Sequence, residues 1–299
     1  MARHCLSLLA VSTVCFAAAP SPGPNRSDDP APVRPALAAP LPPSERRSDD
    51  ELAELAKTDA VALLDACRRR AAALHGYKAT LVKRERINGK LHDEEVIRTW
   101  VRAEPYSVLM LWDKGAREVL GTATEGTLYV SGENNGKIKV WRPSARLLPK
   151  FLDIHPTDAH SPARSASRYA ITEGGLLHAP ERTYRAWSDV KSRGRLHVKY
   201  EGKRKVDEVG GRVCHVITRT ADPATIDPFL MAEEPPDPAR RAVDTSKSVT
   251  LMIDAETWLQ VGSRITNPDG QLVGEYYFRD VELNPKFAPD QFKPAAFRK

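Results

Sequence analysis

The sequence has few of the residues on which common catalytic and metal-binding motifs depend. Its 299 residues include four cysteines, and two of these lie in the first apolar run. Cys67 and Cys214 remain, which are too few for a disulfide framework and fit either one bridge or two buried thiols. The chain also contains no G-x-S-x-G turn, no phosphate loop and no dinucleotide fingerprint. These absences lower the expectation of an enzyme without excluding one.

Long apolar runs are absent after the N-terminus. The run Cys5–Ala19 follows a basic start and is too short to span a bilayer, so we interpret residues 1–19 as an export signal. Ala17–Ala19 fits an A-x-A cleavage site, although Pro20 would obstruct a cut there and favours one slightly earlier. Lipid attachment at Cys15 is an alternative. We therefore expect the mature protein in the periplasm or cell envelope.

Residues that promote order are scarce from residue 20 to residue 50. Nine prolines fall within Pro20–Pro43, and this composition buries too little apolar area to offset its ordering entropy. We predict a disordered tether over 20–50 and one domain over 51–299. The formal charge of +6 favours peripheral contact with anionic headgroups, and a solvated, Arg-rich surface is the alternative.

The remaining sequence alternates between helical and strand patterns. Apolar residues recur at helical spacing within Thr58–Gly76 and within Leu176–Val190, where Pro180 fits only near the helix start. The rest consists mainly of alternating strand runs, and Ala221–Ser246 is predicted to be a long loop. Four dipeptides supply the positive φ angles of tight hairpin turns: Asn88-Gly89, Asn135-Gly136, Gly210-Gly211 and Asp269-Gly270. The predicted strands are Tyr77–Ile87, Glu95–Ala103, Tyr106–Trp112, Glu118–Ala123, Thr127–Ser131, Lys137–Trp141, Leu196–Tyr200, Arg212–Thr218, Ser248–Ile253, Leu259–Thr266 and Glu275–Leu283.

These elements predict a mainly β fold of the α+β class. We expect a curved antiparallel sheet or half-barrel of about ten strands, with two helices packed on its concave face. Two helices cover only part of such a sheet. The remaining apolar surface must either close on itself as a barrel or hold a ligand, and this requirement links the fold to a function.

One predicted strand is apolar on both of its faces. Tyr106, Val108, Met110 and Trp112 share one face, while the residues between them are also largely apolar. In a closed barrel this strand is ordinary core, whereas in an open half-barrel one face lines a cavity suited to flexible acyl chains. The predicted apolar lining is Trp100, Tyr106, Val108, Met110, Trp112, Tyr129, Trp141, Leu177, Tyr184 and Trp187.

The charged residues near these strands indicate a function less clearly than the apolar residues do. Arg98 and Arg117 are predicted at the cavity rim, where a guanidinium group can bind a headgroup or carboxylate. The alternating charges of Lys83–Arg86 are interpreted as a solvated strand end. Four potential metal ligands fall within eight residues: Asp153, His155, Asp158 and His160. Because that segment has the composition of an exposed loop, we expect no metal and no cofactor.

Four segments together carry a family resemblance. They are Lys83–Gly89, Gly115–Leu120, Ser167–Leu176 and Tyr276–Asn284. They resemble an uncharacterised bacterial envelope family, domain of unknown function 1571, which itself looks like a member of the LolA/LolB superfamily of lipoprotein carriers and acceptors. The resemblance implies a curved antiparallel sheet around helices, with an apolar cavity that accepts acyl chains. The Pro-rich tether and the Ala221–Ser246 segment are not carrier features.

The sequence therefore predicts a non-catalytic, exported envelope protein that binds lipid or lipoprotein acyl chains in an apolar half-barrel cavity. The expected partner is a lipid or an acylated protein, and we expect no nucleic acid. The alternative is a periplasmic regulatory or sensor domain that binds a membrane-anchored protein through an exposed sheet edge. A third hypothesis, a hydrolase of envelope polymers, depends on Asp153, His155 and the acidic segment.

Overall fold

The computed structural model describes residues 48–147, 149–158, 161–227, 229–230 and 244–298. These residues lie in one compact unit that spans residues 37–299. The predicted export signal, most of the predicted tether, His160 and most of the predicted long loop lie outside the described residues. The helices are α1 Asp49–Thr58, α2 Ala60–Ala72, α3 Pro162–Ala166 and α4 Gly175–Ser192. The strands are β1 Gly76–Ile87, β2 Lys90–Leu91, β3 Glu95–Arg102, β4 Ser107–Lys114, β5 Glu118–Val119, β6 Thr122–Ala123, β7 Gly126–Val130, β8 Ile138–Trp141, β9 Phe151–Ile154, β10 His197–Val206, β11 Arg212–Thr225, β12 Ser246–Asp254, β13 Gln260–Thr266 and β14 Leu272–Leu283.

The strands form one large, curved antiparallel sheet that does not close. Its order is β10-β11-β12-β13-β14-β1-β3-β4-β7-β8-β9, with β2 paired to β1 and a separate β5-β6 ribbon. Two meanders, one from each half of the chain, join where β14 pairs with β1. This arrangement confirms the predicted mainly β, α+β fold. The strand Phe151–Ile154, which pairs with β8, was missing from the prediction because four residues give too short a pattern.

The four predicted turn dipeptides all lie between consecutive strands. Asn88-Gly89 forms the only two-residue hairpin loop of the four within the described chain, and its φ angles are 51° and 78°. The other three dipeptides lie in longer loops, so the prediction of four tight turns is wrong in length. Local turn chemistry therefore predicted where the chain reverses but not how long each loop is.

Two helices, rather than one, precede β1. Ser48 and Glu51 form a capping box at the start of α1, and Asp59 then caps α2 by accepting hydrogen bonds from the Val61 and Ala62 backbone. The break falls at Asp59 because its side chain satisfies the free N–H groups of a new helix start. The prediction of a single helix within Thr58–Gly76 therefore missed α1.

The helix α4 begins where its backbone meets β1. Gly175 has a φ of 74°, and a Cβ there would collide with the Tyr77 hydroxyl, which accepts a hydrogen bond from the Leu176 N–H. Pro180 lies in the second turn of α4, so its expected place near the helix start is only approximate. The missing proline N–H costs one early hydrogen bond, which a well-packed helix tolerates. The contact with Tyr77 fixes α4 across the sheet.

The sheet is covered on both faces by different parts of the chain. We call the face that carries α1, α2 and α4 the inner face. There, Leu63, Leu64 and Trp187 pack against Ile217 and Leu251. We call the opposite face the outer face, where the C-terminal residues Phe292 and Phe297 pack on Leu109, Leu111 and Leu128. The chain's own C-terminus thus covers the second apolar face of β4.

Close packing of the C-terminal segment depends on one glycine. A Cβ at Gly126 would lie 2.6 Å from the Phe297 ring, which stacks on Trp141 at a centroid distance of 5.7 Å.

The two cysteines of the described chain, Cys67 and Cys214, are free and buried, and burial raises the pKa of each thiol to about 12. Of the helices the structure describes, none is both long and apolar enough to cross a membrane.

Candidate functional site

A cavity of about 180 Å³ lies between the inner face of the sheet and the helices α3 and α4. The sheet contributes large aliphatic side chains, whereas the helices and the loop between them contribute small residues such as Ala166, Ala170, Gly174 and Ala179. The cavity exists because these small side chains do not fill the space opposite the sheet. Its large aliphatic and aromatic side chains are Leu81, Ile97, Met110, Trp112, Val119, Ile138, Val140, Ile154, Tyr169, Ile171, Tyr276 and Phe278.

Of the predicted lining residues, Met110 and Trp112 line this cavity. Tyr106, Val108 and Leu177 are buried in the same hydrophobic core, with Tyr129 packed against it, but they do not line the cavity. The Tyr106 ring stacks on His178 of α4 at 4.4 Å, and its hydroxyl donates to the Ile171 carbonyl oxygen. These residues therefore hold α4 against the sheet beside the cavity.

Trp100 and Trp141 lie on the other side of the sheet from the cavity. Both pack in the outer-face cluster beneath the C-terminal segment. Trp100 is paired in register with Leu109, whereas its neighbour Thr99 is paired with Met110. Because side chains alternate between faces, a residue adjacent to an inward-facing position must point outward. The structure thus separates these two tryptophans from Met110 and Trp112.

Of the residues predicted on α4 and at the cavity rim, some lie away from the cavity and one lies on its wall. Tyr184 and Trp187 pack with α1 and α2 and do not line this cavity, although Trp187 lines a second, adjoining pocket. Arg98 is half-exposed and pairs with Asp113 at 3.0 Å, away from the cavity wall. Arg117, in contrast, lines the cavity, and only 11% of its side chain is exposed. It therefore lies inside the fold rather than at a solvated rim.

Arg117 belongs to a buried ion network at one end of the cavity. Its Nε donates to Glu95 at 2.7 Å and its Nη2 donates to Glu85 at 3.1 Å. The Lys83 ammonium lies 2.9 Å from Glu85 and 3.5 Å from Glu95. Two cations and two carboxylates thus balance each other, as buried charges require. Lys83 and Glu85 are both buried, so their interpretation as a solvated strand end is wrong.

Neutral donors complete the hydrogen bonding of the two glutamates. The Trp112 indole donates to Glu95 at 2.8 Å, and the Tyr276 hydroxyl donates to Glu85 at 2.7 Å. Desolvation raises the pKa of Glu85, but Lys83 and Arg117 more than offset it, and the pKa falls to about 2. Both the cations and the hydroxyl favour the charged form. Glu85 is therefore ionised throughout the physiological range.

The network and the cavity wall leave several polar atoms without a partner. Within the part of the chain that the structure describes, four buried atoms of cavity-lining residues make no hydrogen bond: Arg117 Nη1, Thr124 Oγ1, Thr127 Oγ1 and Gln260 Oε1. Unpaired buried polar groups are rare and costly. A largely apolar cavity with a few free donors and acceptors is the arrangement of a ligand site rather than of a packed core.

A second, larger pocket of about 760 Å³ adjoins the first. Tyr169, Arg182, Gln260 and Ser263 line both spaces, so the two pockets share one wall. The arginines that line the second pocket are Arg168, Arg182, Arg185, Arg193, Arg195 and Arg219. Three aspartates also line it, so its described wall carries a net positive charge. Of the residues predicted to line a cavity, Trp187 lines this pocket. Sequence patterns did not predict its arginines, because they come from α4, from β11 and from the loops beside them.

The candidate metal ligands do not converge. The Asp153 carboxylate accepts hydrogen bonds from Lys139 at 2.7 Å and from Asn134 at 2.9 Å, and the first of these lowers the pKa of Asp153 most. His160 lies outside the described residues. Among the residues with described positions, no group of three His, Cys, Asp or Glu side chains is placed to hold a metal ion.

Several solved structures resemble this chain, all at low identity. A chain of the MucA/MucB complex of Pseudomonas aeruginosa is 16% identical, with a TM-score of 0.42 over 80% of this chain and 62% of that chain. Lipoprotein LppX of Mycobacterium tuberculosis is 14% identical, with a TM-score of 0.38 over 77% and 99%. A LolA superfamily protein of Nitrosomonas europaea is 10% identical, with a TM-score of 0.30 over 78% and 98%. The chain spans less than two thirds of the MucB chains that it matches.

The family match is more extensive. No curated protein matches the chain. The family described as protein of unknown function (DUF1571) matches residues 74–297, from the end of α2 to the C-terminal segment. This span includes every strand that the structure describes, the cavity and the ion network, and it confirms the resemblance inferred from the four sequence segments. The chain belongs to the DUF1571 family.

Proposed function

We propose that this protein is an exported cell-envelope protein that binds an acyl chain of a lipid or lipoprotein between its sheet and α4. The observation that carries the proposal is the apolar cavity lined by Met110, Trp112 and the aliphatic residues around them. Methionine and aromatic side chains adapt to a flexible chain, which needs shape tolerance more than hydrogen bonding. Binding without catalysis requires only this surface.

The cavity volume sets how much of a chain it can take. An apolar cavity of about 150 Å³ accepts a molecule of the size of benzene, so about 180 Å³ holds a short part of an acyl chain. Burying about six methylenes contributes about 5 kcal/mol before association costs. Tight binding of a whole chain therefore needs the adjoining pocket as well, or an outward movement of α4.

A cavity-filling substitution tests this proposal. In Ala179→Phe, a ring from α4 enters the cavity, because Ala179 lines it and is buried. Losing contacts equivalent to about two methylenes weakens binding of a fluorescent fatty acid about tenfold. Ala72→Phe makes the same change at an exposed position of α2 and is the matched control. Equal affinity of both variants and the wild type would exclude binding in this cavity.

Native mass spectrometry after mild extraction supplies an independent test. We expect copurified lipid in the wild type and less of it in Ala179→Phe. If the wild type carries no lipid but retains a stable envelope protein through extraction, the regulatory or sensor function becomes the better explanation. That outcome would place the functional surface outside the cavity.

A further inference from the structure

We propose that the ligand is an anionic amphiphile whose carboxylate or phosphate headgroup binds Arg219 in the second pocket while its chain lies in the inner cavity. This inference rests on the proposed acyl-chain function and specifies its ligand class. It begins from a buried guanidinium group that is paired with no carboxylate among the residues that the structure describes.

Arg219 lies on β11 with its side chain on the inner face. It is paired in register with Val249, and both residues line the second pocket. Only 8% of Arg219 is exposed, and its buried Nε has no hydrogen-bond partner. Its guanidinium donates to no residue that the structure describes, and burial lowers the pKa of Arg219. An unpaired buried cation is unfavourable in the free protein, which makes it a preorganised site for an anion.

The aspartates of this pocket are engaged elsewhere. Asp227 accepts hydrogen bonds from the Tyr169 hydroxyl at 2.6 Å and from the Phe229 N–H at 2.9 Å. Asp189 pairs with Arg193 at 2.9 Å, and Asp222 lies 3.8 Å from Lys247. Asp227 interacts with Arg219 only through its longer-range field. The pocket therefore keeps a positive charge that a bound anion would neutralise.

Two further guanidinium groups add to the positive charge of this pocket. Arg168 donates to the carbonyl oxygens of Arg86 and Asp244, and Arg182 donates to the carbonyl oxygen of Glu173 while lying 3.8 Å over the Tyr169 ring. Carbonyl oxygens and aromatic rings satisfy the contact geometry of a guanidinium group without cancelling its full positive charge. Carboxylates and phosphates are the groups that arginines bind most strongly.

The shared wall places the two pockets side by side. Tyr169 separates the two spaces, with its ring against Tyr276 of the inner cavity and its hydroxyl on Asp227 of the second pocket. Arg182, Gln260 and Ser263 also face both. A chain attached to a headgroup at Arg219 therefore has only to displace Tyr169 to enter the apolar cavity, where Lys83 and Arg117 are already paired with Glu85 and Glu95.

The test compares three ligands that share one chain: dodecanoate, dodecyl phosphate and dodecanol. We expect the wild type to bind the two anions about tenfold to a hundredfold more tightly than the alcohol in calorimetric titrations. Arg219→Gln should remove this preference while leaving the affinity for dodecanol unchanged. Arg204→Gln, at an exposed position of β10 outside both pockets, should keep it. The stronger of the two anions identifies a fatty acid or a phospholipid as the source.

Thermal unfolding of protein that has been freed of bound lipid provides a readout that does not depend on ligand. Because Arg219 is an unpaired buried charge, Arg219→Gln should unfold at a temperature equal to or above that of the wild type. A clear loss of stability would show that the chain itself pairs with Arg219, and would overturn the inference. Equal binding of all three ligands by the wild type would overturn it too, yet leave the acyl-chain proposal standing. No binding of any ligand would remove both.

Discussion

Replacing Glu85 with glutamine tests whether the buried ion network is as tightly coupled as the geometry indicates. Glu85 is fully buried and accepts hydrogen bonds from Lys83, Arg117 and Tyr276. Glu85→Gln keeps the shape of the side chain but removes one of the two carboxylates that neutralise Lys83 and Arg117. Breaking a buried pair by removing one partner costs about 3–5 kcal/mol, because the other charge is left uncompensated. We expect this loss in urea unfolding at pH 7.

The pH dependence of the unfolding free energy gives a second measure of the contribution of Glu85. Burial raises the pKa of Glu85, but the cations lower it further, from 4.5 to about 2. A pKa lowered in the folded state contributes stability that is complete above pH 4.5 and is lost as the pH falls towards 2. The full contribution is about 3 kcal/mol, of which about 2 kcal/mol is lost between pH 7 and pH 3. Glu85→Gln should lack this component of the acid dependence.

Urea unfolding curves at pH 7, 5, 4 and 3 measure both effects. Glu118→Gln, at an exposed position of β5, is the matched control and should change the unfolding free energy by less than about 0.5 kcal/mol. The difference between the wild type and Glu85→Gln should narrow as the pH falls. A difference at pH 7 below about 1 kcal/mol, with the same pH dependence in both proteins, would refute the coupling.

Two further substitutions test the C-terminal segment that packs on the outer face and the N-cap of α1. Phe297→Ala should lower the unfolding free energy by about 3–5 kcal/mol and shift the tryptophan emission of the protein to longer wavelength, because the ring is buried against the Trp141 indole. Arg298→Ala, at an exposed neighbouring position, should do neither. Ser48→Ala removes the N-cap of α1 and should cost about 1 kcal/mol in the same urea assay, and no loss would show that α1 does not contribute to global stability.

Local sequence chemistry predicted much of the secondary structure. Strand alternation and turn dipeptides located all but one of the sheet's longer strands, and helical spacing located α4 within two residues at each end. The α1 helix was missed although Ser48 and Glu51 carry a capping-box pattern, which short-range reasoning can recognise. The presence of an apolar cavity, though not most of its lining residues, was inferred because a wide antiparallel sheet has more apolar surface than two helices cover.

Sequence patterns alone were enough to predict the helical or alternating period of each segment, the positions of most strands and the two apolar faces of β4. Tertiary structure decided which face holds the cavity, because the C-terminal segment that covers Leu109 is far from it in sequence. It also decided that Glu85 is buried, since its partners Arg117 and Tyr276 lie 32 and 191 residues away. Alternation fixes only that neighbours point to opposite faces, whereas burial depends on what the rest of the chain brings to each face.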